Sequence, residues 1–389
     1  MPIDIDRVRA DTPGCAHVAH FNNAGAALPP APVTAAMVDH LRLEAEIGGY
    51  EAAARANDAV EHAYDAVARL LNCRRDEVAI VENATRGWDM AFYALGFEAG
   101  DRILTATAEY ASNYIAFLQI ARRTGAVVEA IPDDADGRLD VAALEAAIDD
   151  RVRLIAVTHV PTNGGLINPA AEIGRVARAA GIPFLLDACQ SAGQLPLDVA
   201  AIGCDMLSAT GRKYLRGPRG VGFLYVRRDW IERLEPPFLD LHAAQWTGPD
   251  TYEVRPDARR FENWEGNVAG KIGLGVAVDY ALALGLEAIR ERADRLAGRL
   301  RRRLADLPGV ALCDKGRDKA AIVGFTKAGA AAVDIVARLA ARRINVSVSD
   351  APMTYLDMAA RGLDEVVRAS PHYYNTEAEI DRLIAALAG

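Results

Sequence analysis

The chain has few cysteines, and none of them are arranged to hold a metal or a disulfide framework. Its 389 residues include five cysteines, and no two of these form a CxxC pair. An odd number of scattered thiols is typical of a protein from a reducing compartment. His17 and His20 lie three residues apart but have no cysteine or acid nearby at ligand spacing, so we predict no metal site.

Long apolar runs and an excess of positive charge are also missing. No apolar segment approaches the ~18 residues that a membrane-spanning helix needs. The first residues, Met1-Pro-Ile-Asp-Ile-Asp-Arg7, lack the charged-then-apolar pattern of a signal peptide. A formal net charge of −9 disfavours binding to nucleic acid or to an anionic membrane. We therefore expect a cytoplasmic protein that binds neither nucleic acid nor membrane.

What the chain does contain is a regular alternation of short β-branched runs with alanine-rich segments. Hydrophobic residues make up 51% of it, enough for a large core and for two domains. Between residues 75 and 226 the alternation favours an α/β domain with a mostly parallel sheet. The predicted strands are 78–81, 102–105, 127–131, 154–158, 184–187, 206–209 and 222–226, and the predicted helices are 87–95, 113–124, 141–148 and 169–180.

The last third of the chain has a different pattern. Residues 267–306 predict long helical structure, ended by Pro308-Gly309, that leads out of the first domain. Beyond it, predicted strands at 321–326, 345–348 and 366–370 alternate with helices at 331–342 and 377–388, which suits a smaller α+β domain. We divide the chain into an N-terminal segment (1–20), a large domain (21–265), and a connecting helix with a small C-terminal domain (266–389).

A lysine and an aspartate are the first candidate catalytic pair. Lys213 lies in Ser208-Ala-Thr-Gly-Arg-Lys-Tyr-Leu-Arg-Gly-Pro-Arg-Gly220, among small residues, where its amine could form an imine with an aldehyde cofactor. Asp187 ends a predicted strand, and ligands gather at the carboxyl ends of parallel strands. Its carboxylate could keep a pyridine nitrogen protonated, although a helix N-cap would explain the same residue. Together the two residues are the pair that pyridoxal phosphate needs.

Neighbouring segments could supply a phosphate cup and a stacking surface. Glu82-Asn-Ala-Thr-Arg86 lies between a predicted strand and a predicted helix, where backbone N–H groups and the Thr85 hydroxyl can bind an anion. A simple helix cap is an equally good explanation of that segment. Thr210 and Arg212 could complete the cup with a hydroxyl and a fixed charge. Tyr110 could lie flat against the ring or could belong to the core.

In this order the motifs resemble the class V aminotransferase family of fold-type I pyridoxal phosphate enzymes, which includes the cysteine desulfurases. The resemblance extends from Phe21-Asn-Asn-Ala-Gly25 to Tyr374-Asn-Thr-Glu377, nearly the whole chain. It implies the fold-type I, transferase-like α/β architecture, with a mostly parallel sheet in the large domain and a smaller α+β domain. It also implies pyridoxal 5′-phosphate as cofactor, a small amino acid as substrate, and a homodimer with active sites near the subunit interface.

The resemblance implies roles for individual residues. Thr210-Gly-Arg-Lys213 is similar to the family's Schiff-base lysine motif, which makes Lys213 the catalytic residue. Asp187-Ala-Cys-Gln190 resembles Asp-x-x-Gln, and Val367-Arg-Ala-Ser-Pro-His-Tyr-Tyr-Asn375 resembles the motif whose arginine grips the substrate carboxylate. The implied cofactor contacts are Thr85, Arg86, Tyr110, Thr162, Asp187, Gln190, Thr210, Arg212 and Lys213, and the implied substrate contacts are Arg368, Asn23 and Ala24.

Departures from the family pattern bear on the reaction. A desulfurase needs a mobile cysteine to accept sulfur, and Arg343-Ile-Asn-Val-Ser-Val-Ser-Asp350 contains none, so a desulfurase that forms a persulfide is disfavoured. Trp264 and Glu265 occupy the neighbourhood in which the family usually places a phosphate-binding threonine from the partner subunit.

Other segments point to a branch of the family. Glu44-Ala-Glu-Ile-Gly-Gly-Tyr50 and the run around Lys213 are similar to the branch that contains the ergothioneine-pathway sulfoxide lyases. That similarity implies a lyase that cleaves a C–S bond of a cysteine-derived amino acid by β-elimination through an α-carbanion. An aminotransferase, or an epimerase like isopenicillin N epimerase, is the alternative, and sequence does not separate these outcomes.

Overall fold

The computed structural model describes residues 3–388, in which strands and helices alternate along the chain. The strands are β1 (Ala19–His20), β2 (Val78–Val81), β3 (Arg102–Ala106), β4 (Val127–Ile131), β5 (Val152–Thr158), β6 (Phe184–Asp187), β7 (Met206–Thr210), β8 (Gly222–Val226), β9 (Ala244–Gly248), β10 (Thr251–Val254), β11 (Val310–Leu312), β12 (Val323–Lys327), β13 (Ile344–Asn345), β14 (Ser347–Asp350) and β15 (Glu365–Ala369). The helices are α1 (Ile5–Ala10), α2 (Ala31–Ile47), α3 (Gly49–Arg55), α4 (Asn57–Leu71), α5 (Ala84–Phe92), α6 (Ala111–Thr124), α7 (Val141–Ala146), α8 (Ala170–Ala180), α9 (Val199–Ile202), α10 (Arg228–Ile231), α11 (Val268–Leu284), α12 (Leu286–Ala305), α13 (Ala332–Ala341), α14 (Tyr355–Ala360) and α15 (Glu377–Ala388).

A seven-stranded sheet organises the large domain. Its strand order is β2-β8-β7-β6-β5-β3-β4, and every neighbouring pair is parallel except the two that involve β8. Only residues 211–221 connect β7 to β8, and they contain no helix, whereas parallel neighbours need a long crossover. The chain therefore turns back, and β8 becomes the single antiparallel strand. The predicted mostly parallel sheet is confirmed.

Helices cover both faces of this sheet and produce two cores. Successive residues of a strand point to opposite faces, so Leu185 of β6 packs with Trp88 of α5 and Phe117 of α6. Leu186 packs on the other face, in a cluster that includes Val67 of α4 and Ile173 of α8. Burial on both faces explains why the strands were visible as short, continuous apolar runs.

The small domain is built on the antiparallel sheet β11-β12-β15-β14. The strand predicted at 345–348 is instead two strands, because Val346 separates β13 from β14 and the two pair with different partners. β13 pairs in parallel with β1, matching Ala19 to Ile344. β1 is thus joined to the small domain, and Ala19 packs in its core, whereas Val8 of α1 packs in the core of the large domain.

The long helical stretch predicted at 267–306 is two helices. Gly285 lies between α11 and α12 with φ of +87°, a conformation that glycine adopts readily and other residues rarely do. The helices meet at 79°. Residues of α11 such as Leu274 pack in the large-domain core, whereas Leu296 and Leu300 of α12 pack in the core of the small domain.

No single helix in the described part of the chain is long and apolar enough to cross a membrane. The bent pair α11 and α12 meets the test of length and composition only when the two helices are joined.

Candidate active site

The candidate site lies at the carboxyl edge of the large sheet. Val81, Thr158, Asp187 and Thr210 are the last residues of β2, β5, β6 and β7. The register places Thr158 opposite Asp187, and it places both Val81 and Thr210 opposite Gly222, the first residue of antiparallel β8. The loops that follow these strands therefore converge, and an edge of this kind is the usual ligand site of an open α/β sheet.

Lys213 is held in a compact turn after β7. The turn is closed by backbone hydrogen bonds from Gly211 N–H to Val221 O (3.1 Å) and from Arg216 N–H to Lys213 O (2.9 Å). The lysine is only 9% exposed. The small residues and the Gly-Pro turn around Lys213 leave room for its long side chain inside the protein.

The electrostatics around Lys213 favour a reactive amine. Burial lowers the pKa of this amine, the negative charge of Asp187 raises it, and the positive charges of Arg212 and Arg368 lower it again; the net shift is downward. A lower pKa increases the fraction of neutral amine, which is the form that attacks an aldehyde and accepts a proton.

Asp187 accepts a backbone and an amide hydrogen bond, one on each oxygen. Its Oδ1 accepts from the Cys189 N–H at 2.8 Å, and its Oδ2 accepts from Asn113 Nδ2 at 3.0 Å. An ionised carboxylate can accept about four hydrogen bonds, so it retains capacity for a ring N–H. Residues 188–194 form turns and no helix follows, so the helix N-cap explanation of Asp187 does not hold.

Gln190 provides the clearest test of whether the cofactor fits. Its Nε2 donates to Ala24 O at 3.1 Å and to Thr162 Oγ1 at 3.3 Å. Its Oε1 is buried and has no hydrogen-bond partner among the described residues. Since buried polar atoms are normally paired, this oxygen indicates a polar group that binds beside Gln190. Together with Asp187 and Lys213, it fits pyridoxal phosphate.

Arg368, on β15, is buried beside these residues. Its Nη1 donates to Thr162 Oγ1 at 2.7 Å and to Thr162 O at 3.0 Å, while Nε donates to Ser347 Oγ at 3.2 Å. Its Nη2 lies 3.4 Å from Asn22 Oδ1. The structure thus brings together Thr162, Gln190 and Arg368, and the small domain supplies the last of them.

The two N-terminal residues predicted to contact substrate are placed differently. Ala24 lies at the site, where its N–H donates to Ser370 Oγ at 3.0 Å. The Asn23 side chain is turned into the protein, donating to Ser370 O at 2.7 Å and accepting from the Tyr374 hydroxyl. The neighbouring Asn22 contacts Arg368 instead. The side chain that reaches Arg368 is therefore that of Asn22, and a substrate contact of Asn23 stays a prediction.

The predicted phosphate segment begins α5. Asn83 is its N-cap, with Oδ1 accepting from Arg86 N–H at 2.9 Å, and Thr85 is exposed in the first turn. The Arg86 side chain points elsewhere: its Nη2 donates to Asn263 Oδ1 at 2.8 Å, and its guanidinium lies 4.9 Å from the Phe238 ring centroid. Thr85 thus stays at the edge of the sheet, whereas the Arg86 side chain is committed to other partners.

Thr210 and Arg212 flank the same edge. Thr210 is buried and pairs with Gly222. A Cβ added to Gly222 would lie 2.8 Å from Ala84 N, so the start of α5 packs directly on β8. Arg212 Nη1 donates to Gly25 O in the N-terminal loop. The guanidinium therefore ties that loop to the Lys213 turn, and it adds positive charge near the amine.

Tyr110 precedes α6 and is half-buried at the same edge. The sequence did not identify the two polar residues beside it, Glu109 and Asn113. Both are buried, and Asn113 contacts Asp187 directly. The available signal was their position, because Glu109 lies just before the N-cap Tyr110 and Asn113 lies in the first turn of α6, in the segment that follows the buried strand β3.

In residues 3–388, no group of three or more His, Cys, Asp or Glu side chains is arranged to hold a metal ion.

The chain is similar to known proteins over nearly its whole length. The family model for aminotransferase class-V matches residues 19–383. A probable cysteine desulfurase from Xylella fastidiosa is 33% identical over 400 residues, covering 99% of this chain and 95% of the relative.

Solved structures give a consistent result. A cysteine desulfurase from Thermococcus onnurineus superposes with a TM-score of 0.92 at 29% identity, covering 100% of this chain and 98% of that one. C-DES, in a variant with glycine covalently linked to its pyridoxal phosphate, gives 0.88 at 26% identity over 98% of both chains. In a further structure, the cystine C–S lyase C-DES is in complex with its reaction product, cysteine persulfide.

Proposed function

The chain belongs to the class V aminotransferase family, whose cofactor is pyridoxal 5′-phosphate, and on that premise we propose that it is a C–S lyase. Its substrate is a cysteine-derived amino acid, and its reaction is β-elimination. The observation that carries this proposal is the sequence of β14, the strand that pairs with β15 beside Arg368. β14 contains Ser347 and Ser349 and no cysteine, in the region where a desulfurase needs a thiol. With no sulfur acceptor there, the sulfur leaves as part of a product.

Each residue of the site has a task in this reaction. Pyridoxal phosphate, when bound, supplies an electron sink for the substrate α-carbon. Asp187 holds the proton on the ring nitrogen. Arg368 binds the α-carboxylate and so fixes which bond at the α-carbon is aligned for cleavage. The Lys213 amine, whose pKa is lowered by burial, takes the α-proton.

Cys189 is the thiol closest in sequence to the catalytic pair, and its surroundings argue against a role as sulfur acceptor. Burial and the charge of Asp187 both raise the pKa of the Cys189 thiol. The thiolate is the nucleophilic form, so this environment suppresses attack on sulfur. A β-elimination needs no protein thiol, since the leaving group departs as the product thiol and water completes the conversion to pyruvate and ammonia.

A product assay over a panel of cysteine derivatives tests this function. The panel contains cysteine, cystine, S-conjugates and sulfoxides, each with its decarboxylated analogue. We expect equal amounts of pyruvate and ammonia from at least one full amino acid. The decarboxylated analogue cannot yield pyruvate, so it is followed by its ammonia release, which we expect to be absent because Arg368 then has no carboxylate to bind. Alanine with a protein-bound persulfide would show a desulfurase, and amino exchange or inversion without pyruvate would show the alternative reactions.

We also propose that the enzyme is a homodimer. Residues 238–264, which include the hairpin β9–β10, expose several large apolar side chains; Trp246 is 79% exposed, and Phe238, Leu241, Tyr252 and Trp264 are each more than half exposed. Apolar surface of this kind marks an interaction site. Light scattering should give twice the chain mass for the wild type and a shift toward the monomer for Trp246→Glu. A monomeric wild type would contradict the proposal.

A further inference from the structure

Glu109 is a buried carboxylate that none of the tasks above uses. It follows β3 and is 3% exposed. Oε2 accepts from Thr158 N–H at 2.8 Å and from Thr105 Oγ1 at 3.1 Å. Oε1 accepts from Tyr110 N–H at 2.9 Å, from Asn113 Nδ2 at 2.8 Å and from the Thr158 hydroxyl. Every group around it donates, which is the environment of an ionised carboxylate.

Asn113 connects this carboxylate to the catalytic aspartate. Its Nδ2 lies 2.8 Å from Glu109 Oε1 and 3.0 Å from Asp187 Oδ2. An amide NH2 group has two hydrogens, so each carboxylate receives one. Asn113 is 3% exposed, and water therefore has little access to either bond. Nδ2 also lies 3.4 Å from Thr158 Oγ1, whose hydroxyl donates to Glu109, so Glu109 and its partner Thr158 hold the amide in the orientation that serves Asp187.

We propose that Glu109 is a positioning residue that orients the Asn113 amide and, through it, sets the direction of Asp187 toward the cofactor ring nitrogen. The proposal builds on the function given above, since it concerns the same site. It assigns Glu109 and Asn113 to the catalytic machinery as residues that act through Asp187 and touch neither substrate nor cofactor.

The charge of Glu109 supports the same conclusion. The pKa of Glu109 is raised to about 7, mainly by burial. Hydrogen bonds from Thr158 and Asn113 lower it in part, and the charge of Asp187 raises it further. Above that value Glu109 is ionised. Its negative charge, connected to Asp187 through the Asn113 amide, then also favours the protonated form of the cofactor ring nitrogen.

Glu109→Gln tests this arrangement because glutamine keeps the size of the side chain. A glutamine must direct its NH2 group against donors, either the Thr158 N–H or the Asn113 amide. We expect kcat to fall on the order of tenfold, the range of coupling between residues in one network, with KM nearly unchanged. We also expect a shifted pH midpoint of the visible absorption of the bound cofactor, because that absorption reports on the ring environment and not on the substrate.

A double-variant cycle separates positioning from general destabilisation. If Glu109 acts through Asn113, Glu109→Gln should add little to kcat or to the absorption midpoint when Asn113→Ala is already present. Fully additive effects would overturn the proposal. So would a Glu109→Gln enzyme with lowered melting temperature but an unchanged spectrum and kcat.

Glu77→Gln is the matched control. Glu77 is also a buried glutamate, and it accepts from Arg74 N–H at 2.9 Å and Arg228 N–H at 2.8 Å, next to the start of β2 and away from the site. It should change stability without changing the cofactor spectrum. Because absorption needs no substrate, this comparison is informative even if the lyase assay fails, so failure of the proposed reaction and failure of the positioning role are distinguishable.

Discussion

Replacing Lys213 by alanine should abolish turnover and remove the visible absorption of the lysine-bound cofactor. The amine is buried, its pKa is lowered by that burial, and the structure places it in the turn directly after β7. Without it the site has no covalent attachment for the cofactor and loses the base that we assign to the α-proton. We expect pyruvate formation to fall by at least ~10⁴-fold, the upper range for a general acid–base residue.

Two variants isolate the chemistry of Lys213 from its charge. Lys213→Arg keeps a cation of similar length, but a guanidinium stays protonated and cannot perform either task, so it should be as inactive as the alanine variant. Lys327→Ala removes a lysine whose Nζ donates to Leu387 O in the small domain, and it should leave absorption and turnover intact. Wild-type turnover in Lys213→Ala would refute the role.

The candidate residues Asp187 and Lys213 on the large sheet lie at or just after the end of a buried strand. Arg368 lies within β15, and its role was implied by the family resemblance. β5, β6 and β7 were visible because both of their faces are covered; Asp187 was found at the end of one such run, and Lys213 was found from the small residues around it. A parallel sheet brings such ends to one edge automatically. The strand pattern therefore predicts the position of the candidate site as well as the fold.

The residues that were missed depend on contacts distant in sequence. Which of two adjacent asparagines faces Arg368 is decided by Ser370, which accepts a hydrogen bond from Asn23 and leaves Asn22 at the site. Asn113 was unremarkable in a helix pattern, and its importance comes from a carboxylate 74 residues away. The break at Gly285 was equally hidden, because one glycine within a helical pattern is compatible with a continuous helix.

Asp187→Asn should lower kcat by about 10²–10³-fold while changing KM much less. That range is typical for the loss of one preorganised electrostatic contact in an active site. Asparagine can still accept from Cys189 N–H through one oxygen, but its NH2 group then faces the NH2 group of Asn113 and cannot hold a proton on the ring nitrogen. Substrate binding should persist because Arg368 is untouched.

Asp205→Asn is the control for this change, since Asp205 is buried and accepts from Phe184 N–H at 2.8 Å. Phe184 begins β6 and Asp187 ends it, so the two aspartates serve opposite ends of one strand. Both substitutions remove a buried carboxylate from the same sheet and should lower the melting temperature. Only the change at the carboxyl end should alter kcat and the cofactor spectrum. If Asp187→Asn retained wild-type kcat, the ring proton would have to be held by another residue, and the positioning role of Glu109 would lose its target as well.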